Sequence, residues 1–239
     1  MTKAPAVYWL SETGDDIAGD GQWLTGRERG KLKQLRFTKR RADWRLGRWT
    51  AKRAVCAYLR GEGKVLGLED VEIVAAEDGA PELYVGGAAS RITISISHSG
   101  NVGFAVLSPR GLAVGCDVEA VEPRSERFVR DYFTAEELKR VHGSDDSDRP
   151  HIINLMWSAK ESTLKAVRTG LERDTRGVEV VLPVRGIDPV DQWAPFTVSC
   201  VQSQRQFYGW WKRDGKLVFT VSCSEETEPP SPLIGGTRP

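Results

Sequence analysis

Ile92-Thr93-Ile94-Ser95-Ile96-Ser97-His98-Ser99-Gly100-Asn101 opens a run that ends on Gly115-Cys116-Asp117-Val118-Glu119, and its reading decides the fold. Three isoleucines alternate with Thr93, Ser95 and Ser97, the period-2 pattern of a half-buried strand. His98-Ser99-Gly100-Asn101 is turn chemistry, so the chain returns as a second strand over Val102 to Leu107, and a third spans Leu112 to Glu119. Within the third, Asp117 and Glu119 are two apart and project together, while Cys116 and Val118 point the other way into a core. Adjacent carboxylates repel unless a cation neutralises them. On an edge strand they would face solvent; the apolar Leu112, Ala113 and Val114 favour a buried strand, where paired acids need a partner.

Upstream, Thr25 to Leu59 reads as helix, broken near Phe37, with Leu46, Trp49, Ala54, Ala57 and Tyr58 on its apolar side. Arg41, Arg45, Arg48 and Lys52 are spaced by four, three and four and form a basic stripe. Between Arg27 and Arg60 stand 13 Lys and Arg against two acids, Glu28 and Asp43, although the whole chain is only +1. Such a block suits a polyanionic partner or a solvated helix face. Val71 to Ala75 reads as a strand, and Glu77-Asp78-Gly79-Ala80-Pro81 as a turn.

Downstream, helices are expected over Ser125–Tyr132, Thr134–His142 and Pro150–Thr169. Strands are expected over Val178–Leu182, Phe196–Val201, Phe207–Lys212 and Leu217–Ser222, with Asp214-Gly215 as a hairpin turn. Helices then strands, twice over, predict an α+β protein of two similar halves joined near Pro109 to Leu112. From Glu225 to Pro239 the composition predicts a disordered tail.

The 239 residues, 40% hydrophobic, are enough to bury a core. Cys56, Cys116, Cys200 and Cys223 are scattered without metal-ligand spacing and read as free thiols of a reducing cytosol. No apolar run approaches the roughly 20 residues that span a bilayer, and Ala4 to Leu10 is too short for a secretory signal. A cytoplasmic protein without a membrane partner is expected.

One helix carries Trp157-Ser158-Ala159-Lys160-Glu161-Ser162-Thr163-Leu164-Lys165-Ala166. Trp157, Glu161 and Lys165 fall at i, i+4 and i+8, one row of a helix. This is an ordinary Glu–Lys pair beside a core Trp, or a third carboxylate facing the strand acids. His98, at a strand end, is either a turn histidine or a donor to a phosphate oxygen.

None of these signals is specific alone; their order is. A basic helix, then S-x-S-H-S, then G-x-D-x-E, then W-S-x-K-E-x-x-x-K resembles the surfactin-synthetase-activating class of 4′-phosphopantetheinyl transferases, over roughly Arg36 to Ala166. The resemblance implies a pseudo-dimer of helix-backed antiparallel sheets, residues 1–110 and 111–224, with 225–239 as tail. It implies transfer of the 4′-phosphopantetheine group of coenzyme A to a serine of an apo acyl or peptidyl carrier protein, releasing adenosine 3′,5′-bisphosphate. Asp117, Glu119 and Glu161 would hold Mg²⁺ or Mn²⁺. Coenzyme A would meet Arg40, Arg41, Arg48, Gly79, Ala80, Pro81, Ser97, His98, Asp117, Lys160 and Lys165. Glu161, Lys165 and Asp117 would be catalytic, with Glu161 accepting the serine proton. The family often has Gly-Lys-Pro where this chain has Gly79-Ala80-Pro81, so one phosphate-contacting cation is missing and a neighbouring Arg would have to compensate. Tyr132-Phe133-Thr134 with Glu137 resembles the F-(S/T)-x-x-E segment beside the docked carrier. A monomer serving polyketide or nonribosomal peptide synthesis, with no nucleic-acid partner, is implied. Two rivals use the same residues: a Mg²⁺-dependent nucleotide pyrophosphate hydrolase, and a nucleic-acid-binding module built on the basic block.

Overall fold

The structure, a computed structural model, describes residues 5–109, 111–168, 174–183, 192–201 and 205–233. It is α+β, as the element order predicts. The chain runs β1 (Tyr8–Thr13), α1 (Gly26–Gln34), α2 (Thr38–Gly61), β2 (Val71–Ala75), β3 (Pro81–Val85), β4 (Ala88–Ala89), β5 (Thr93–Ser99), β6 (Val102–Ser108) and β7 (Val114–Ala120). There follow α3 (Glu126–Tyr132), α4 (Ala135–His142), α5 (Arg149–Val167), β8 (Val178–Val181), β9 (Ala194–Cys200), β10 (Gln206–Asp214), β11 (Leu217–Cys223) and β12 (Ser231–Pro232). The break at Phe37 separates α1 from α2, with Phe37 extended at the N-cap of α2.

Two main sheets have the orders β12-β1-β6-β5 and β7-β11-β10-β9-β8, and β2-β3-β4 form a small third. Helix α2 packs on β6 and β1, and α5 packs on β7 and β11. Alternation along β6 explains the layering. Ala105 and Leu107 join the core under α2. Phe104 and Val106 face the second sheet, with Cys116, Val118, Phe219 and Val221. Both faces of these strands are therefore covered, which is why β6 reads as a nearly continuous apolar run. A separate core lies under α5, built on Ile152, Leu155, Met156, Phe207 and Trp211.

Helix α5 lies directly on β7 at Gly115. A Cβ there would fall 1.9 Å from the Ser162 carbonyl oxygen and 2.5 Å from the Ala166 nitrogen, so only glycine permits the contact. That approach brings Glu161 and Lys165 beside the β7 acids.

The tail departs from expectation. Within 225–233 the chain turns back, and β12 pairs in parallel with β1. Ser231 N–H donates to Val7 O, Leu233 N–H to Trp9 O, and Trp9 Nε1 to Pro230 O. Proline, which suggests disorder by composition, is tolerated on an edge strand such as this. Residues 234–239 lie outside the described ones. β1 itself gave no clear signal, because its partner β6 is distant in sequence. No helix among the described residues is long and apolar enough to cross a membrane.

Candidate functional site

β5 and β7 are neighbouring edges of the two main sheets, joined by side chains: Cys116 N–H donates to Ser95 Oγ at 2.9 Å. The two strands quoted first therefore meet at one seam. There Asp117, 5% exposed, accepts from Ser97 Oγ at 2.7 Å and pairs with Lys165 Nζ at 2.8 Å, both through Oδ1. Lys165 also donates to Cys116 O at 3.0 Å and to Ser97 Oγ at 3.1 Å. Burial is the largest single influence and opposes its charge, but Asp117, Cys116 and Glu161 together raise the Lys165 pKa.

Glu119 accepts from Trp157 Nε1 at 3.0 Å and from Arg124 at 3.2 Å. Its pKa is raised, by burial first and then by Asp117, with Arg124 opposing. Glu161 is pushed up to about 7, by burial and then by Asp117 and Glu119, with Lys165 opposing. Asp117 Oδ2 and Glu161 Oε1 are buried without a hydrogen-bond partner among the described residues. Two acceptors without a partner thus lie within three crowded carboxylates, whose mutual repulsion a cation would relieve. Among the described residues no three acidic, histidine or cysteine side chains are grouped so as to hold a metal ion as they stand. The donors nonetheless suit a hard divalent cation, which takes carboxylate oxygens and completes its shell with water.

The chain contains its own comparison. Trp49-Thr50-Ala51-Lys52-Arg53 on α2 matches Trp157-Ser158-Ala159-Lys160-Glu161 on α5. Trp49 Nε1 donates to Glu12 on β1 at 2.6 Å, as Trp157 does to Glu119 on β7. Lys52 is buried against Glu28, and Lys160 against Glu137. Each glutamate closes a capping box with a threonine, Thr25 or Thr134, and accepts from a strand N–H, that of Ile73 or Val180. The copies differ at the position after the lysine. Arg53 neutralises Glu12 at 2.9 Å, whereas Glu161 adds a third acid. The same scaffold thus pairs its acid with a cation in one copy and gathers a third acid in the other.

This network corrects two assignments. Lys160 is fully buried, with its ammonium on Glu137 at 2.8 Å, Thr175 O at 2.9 Å and Val178 O at 2.6 Å; no donor is left for coenzyme A. Lys52, fully buried, is not part of an exposed basic stripe. Glu137 is buried and serves as a strut between α4, α5 and β8. Ser97 donates its hydroxyl to Asp117 and so helps position that acid.

The other expected residues line a cleft. Arg40, Arg48, Gly79, Pro81 and His98 wall a cavity of about 300 Å³. It shares Gly79, Pro81 and Ile96 with one of about 410 Å³ lined also by Ala80, Lys165 and Arg168. Gly47 packs beneath, where a Cβ would be 3.1 Å from Ile96 Cγ2. Arg48 stacks over Trp44, its Nε is buried without a partner among the described residues, and burial lowers its pKa against the pull of Glu28. That guanidinium wants an anion. Arg41 is exposed and does not line the cleft. Arg124 and Arg168 escaped the sequence reading, since no local pattern ties either to its acid partner. The repeat did have a signal, the four-residue W-(T/S)-A-K identity.

Residues 113–220 match the family model described as the 4′-phosphopantetheinyl transferase superfamily. The holo-[acyl-carrier-protein] synthase of Lactococcus lactis subsp. cremoris is 39% identical over 79 residues, 33% of this chain and 66% of that protein. The chain therefore spans slightly less than two thirds of that relative. The fatty acid synthase subunit alpha of Schizosaccharomyces pombe is 39% identical over 66 residues, 23% of this chain and 4% of that protein. A Bacillus anthracis holo-(acyl-carrier-protein) synthase, solved in complex with coenzyme A (3′,5′-ADP), covers 44% of this chain and 95% of its own, at 22% identity and a TM-score of 0.36. The matched segment holds Asp117, Glu119, Glu161 and Lys165.

Proposed function

We propose that this chain, whose residues 113–220 match the 4′-phosphopantetheinyl transferase superfamily, transfers the phosphopantetheine arm of coenzyme A to a serine of an apo acyl or peptidyl carrier protein. The observation that carries the reading is the pair of orphaned buried oxygens, Asp117 Oδ2 and Glu161 Oε1, at the seam beside a basic cleft. Asp117, Glu119 and Glu161 would hold Mg²⁺ or Mn²⁺. Bound there, the ion would neutralise charge developing on the pyrophosphate.

The chain's own residues do the rest. Trp157 and Arg124 fix both oxygens of Glu119. Ser97 and Lys165 fix Asp117. Arg40, Arg48 and His98 receive phosphate groups along the cleft, and Arg48, already desolvated, contributes most. Lys165 has all three donors engaged and must release one to reach a phosphate oxygen. The carrier serine attacks the β-phosphorus, and adenosine 3′,5′-bisphosphate leaves with the P–O bonding pair. Glu161 would accept the serine proton through the carboxylate oxygen not given to the cation. Such a transfer depends on alignment and charge more than on covalent help.

The finer reading is a monomer of the surfactin-synthetase-activating class, two halves forming one pseudo-dimer and serving polyketide or nonribosomal peptide carriers. The repeated Trp–Glu and Lys–Glu networks support the two-half part.

The test is intact mass spectrometry of apo carrier proteins of both kinds incubated with this protein, coenzyme A and Mg²⁺, with an EDTA control. A mass gain of one phosphopantetheinyl group, absent with EDTA, is expected. Release of phosphopantetheine without a carrier would reveal the hydrolase, and unmodified carriers throughout would overturn the transferase.

A further inference from the structure

The C-terminal end of α5 contains an anomaly. Arg168 caps the helix with φ 61 and ψ 32, the one non-glycine residue at positive φ among the described residues. Glycine is the usual occupant of that position, because a Cβ there crowds the backbone. Its guanidinium forks onto Asp78 in the β2–β3 turn, Nε at 2.9 Å and Nη2 at 3.1 Å. Asp78 is itself oriented by the Ala80 N–H at 3.0 Å. The Arg168 side chain is 51% exposed, and a surface pair of this kind contributes little to stability. Yet Arg168 lines the same cavity as Ala80 and Lys165, and its Nη1 donates to none of the described residues. A strained backbone is kept for a side chain that lines a cleft and whose ion pairs, with Asp78 and with Glu82 at 4.0 Å, explain little.

We propose that Arg168 is a phosphate-binding residue of this cleft, supplying from α5 the positive charge that the Gly79-Ala80-Pro81 turn lacks. Asp78 aims the fork, leaving Nη1 for a phosphate oxygen. The inference rests on the reading that the cleft takes coenzyme A. It adds a residue from the opposite side of the seam to the basic wall of α2.

The experiment is calorimetric titration of coenzyme A, with Mg²⁺ present, into the full-length protein and its R168G, R168K, D78N and R168G/A80K variants, with Tm recorded for each. R168G is expected to bind coenzyme A at least tenfold more weakly while its Tm holds or rises, since glycine suits the left-handed cap. R168K should recover only part of the affinity. R168G/A80K should recover most of it, because the charge returns on the turn. D78N should bind more weakly than the wild type without loss of Tm. Binding by R168G within twofold of the wild type overturns the proposal. So does a weakening that A80K fails to repair and that follows a fall in Tm, which would make Arg168 only a clasp. If the wild type itself binds no coenzyme A, the functional reading falls and this inference with it; unaltered binding by R168G refutes the inference alone.

Discussion

At the scale of single residues, the site is governed by where burial and like charge are left uncompensated. Glu161 sits with a pKa of about 7 against an ordinary 4.5, so the folded protein resists its ionisation. The favourable protonated state is present below about 4.5 and is lost as pH rises through about 7, so metal-free protein should lose stability across that window. In EDTA, Tm should fall between about pH 5 and pH 8 for the wild type and much less for E161Q. Mg²⁺ should restore the wild type at the upper pH and leave E161Q unchanged. An identical pH profile for both proteins would remove Glu161 from the cation site. Trp157 holds Glu119 through one N–H. W157F keeps the ring and loses the bond, so Mg²⁺ affinity should drop roughly tenfold, the typical effect of one hydrogen bond to a charged group. The shared face of Asp117 and Glu119 was legible from strand spacing, whereas Glu161 was set beside them only by the family resemblance. What spacing left hidden is that Lys165 holds Asp117, since Lys165 and Asp117 lie on different elements.

At the scale of elements, the seating of α5 on β7 decides the site's geometry. Gly115→Ala would place a methyl group inside the helix backbone, and it should cost about 3 kcal/mol or more, read by urea denaturation. The Glu137–Lys160 pair fixes the other side of α5 to α4 and β8. Lys160→Met strands a buried carboxylate and should cost about 3–5 kcal/mol, whereas the E137Q/K160M double variant, which leaves no buried charge, should recover part of that. Were Lys160 a phosphate ligand, K160M would instead weaken coenzyme A binding at unchanged stability. The helices were legible from periodicity. The buried role of Lys52 and Lys160 was not, because a lysine on a helix face reads as solvated until its acid partner, 23 or more residues away, is placed.

At the scale of the whole molecule, the layers run α2, first sheet, second sheet, α5, with the seam between β5 and β7 carrying the acids. The return of the tail covers the outer edge of β1. A chain ending at Glu228 should lose about 1–2 kcal/mol in denaturation and self-associate in size-exclusion chromatography, since an uncovered edge strand templates pairing. Unchanged behaviour would show the tail to be dispensable. The sequence by itself determined the α+β class, the break at Phe37, the strand alternation around Ile94 and the acids that share a face of β7. Those follow from periods of 2 and 3.6, which are local properties of the backbone. Only the tertiary structure decided which charges meet. Glu12 found Arg53 where Glu119 faces Glu161, Lys160 went inward to Glu137, and Arg168 reached Asp78 across the seam. An ion pair depends on two side chains brought together from distant parts of the chain, and that proximity is set by packing, not by local spacing.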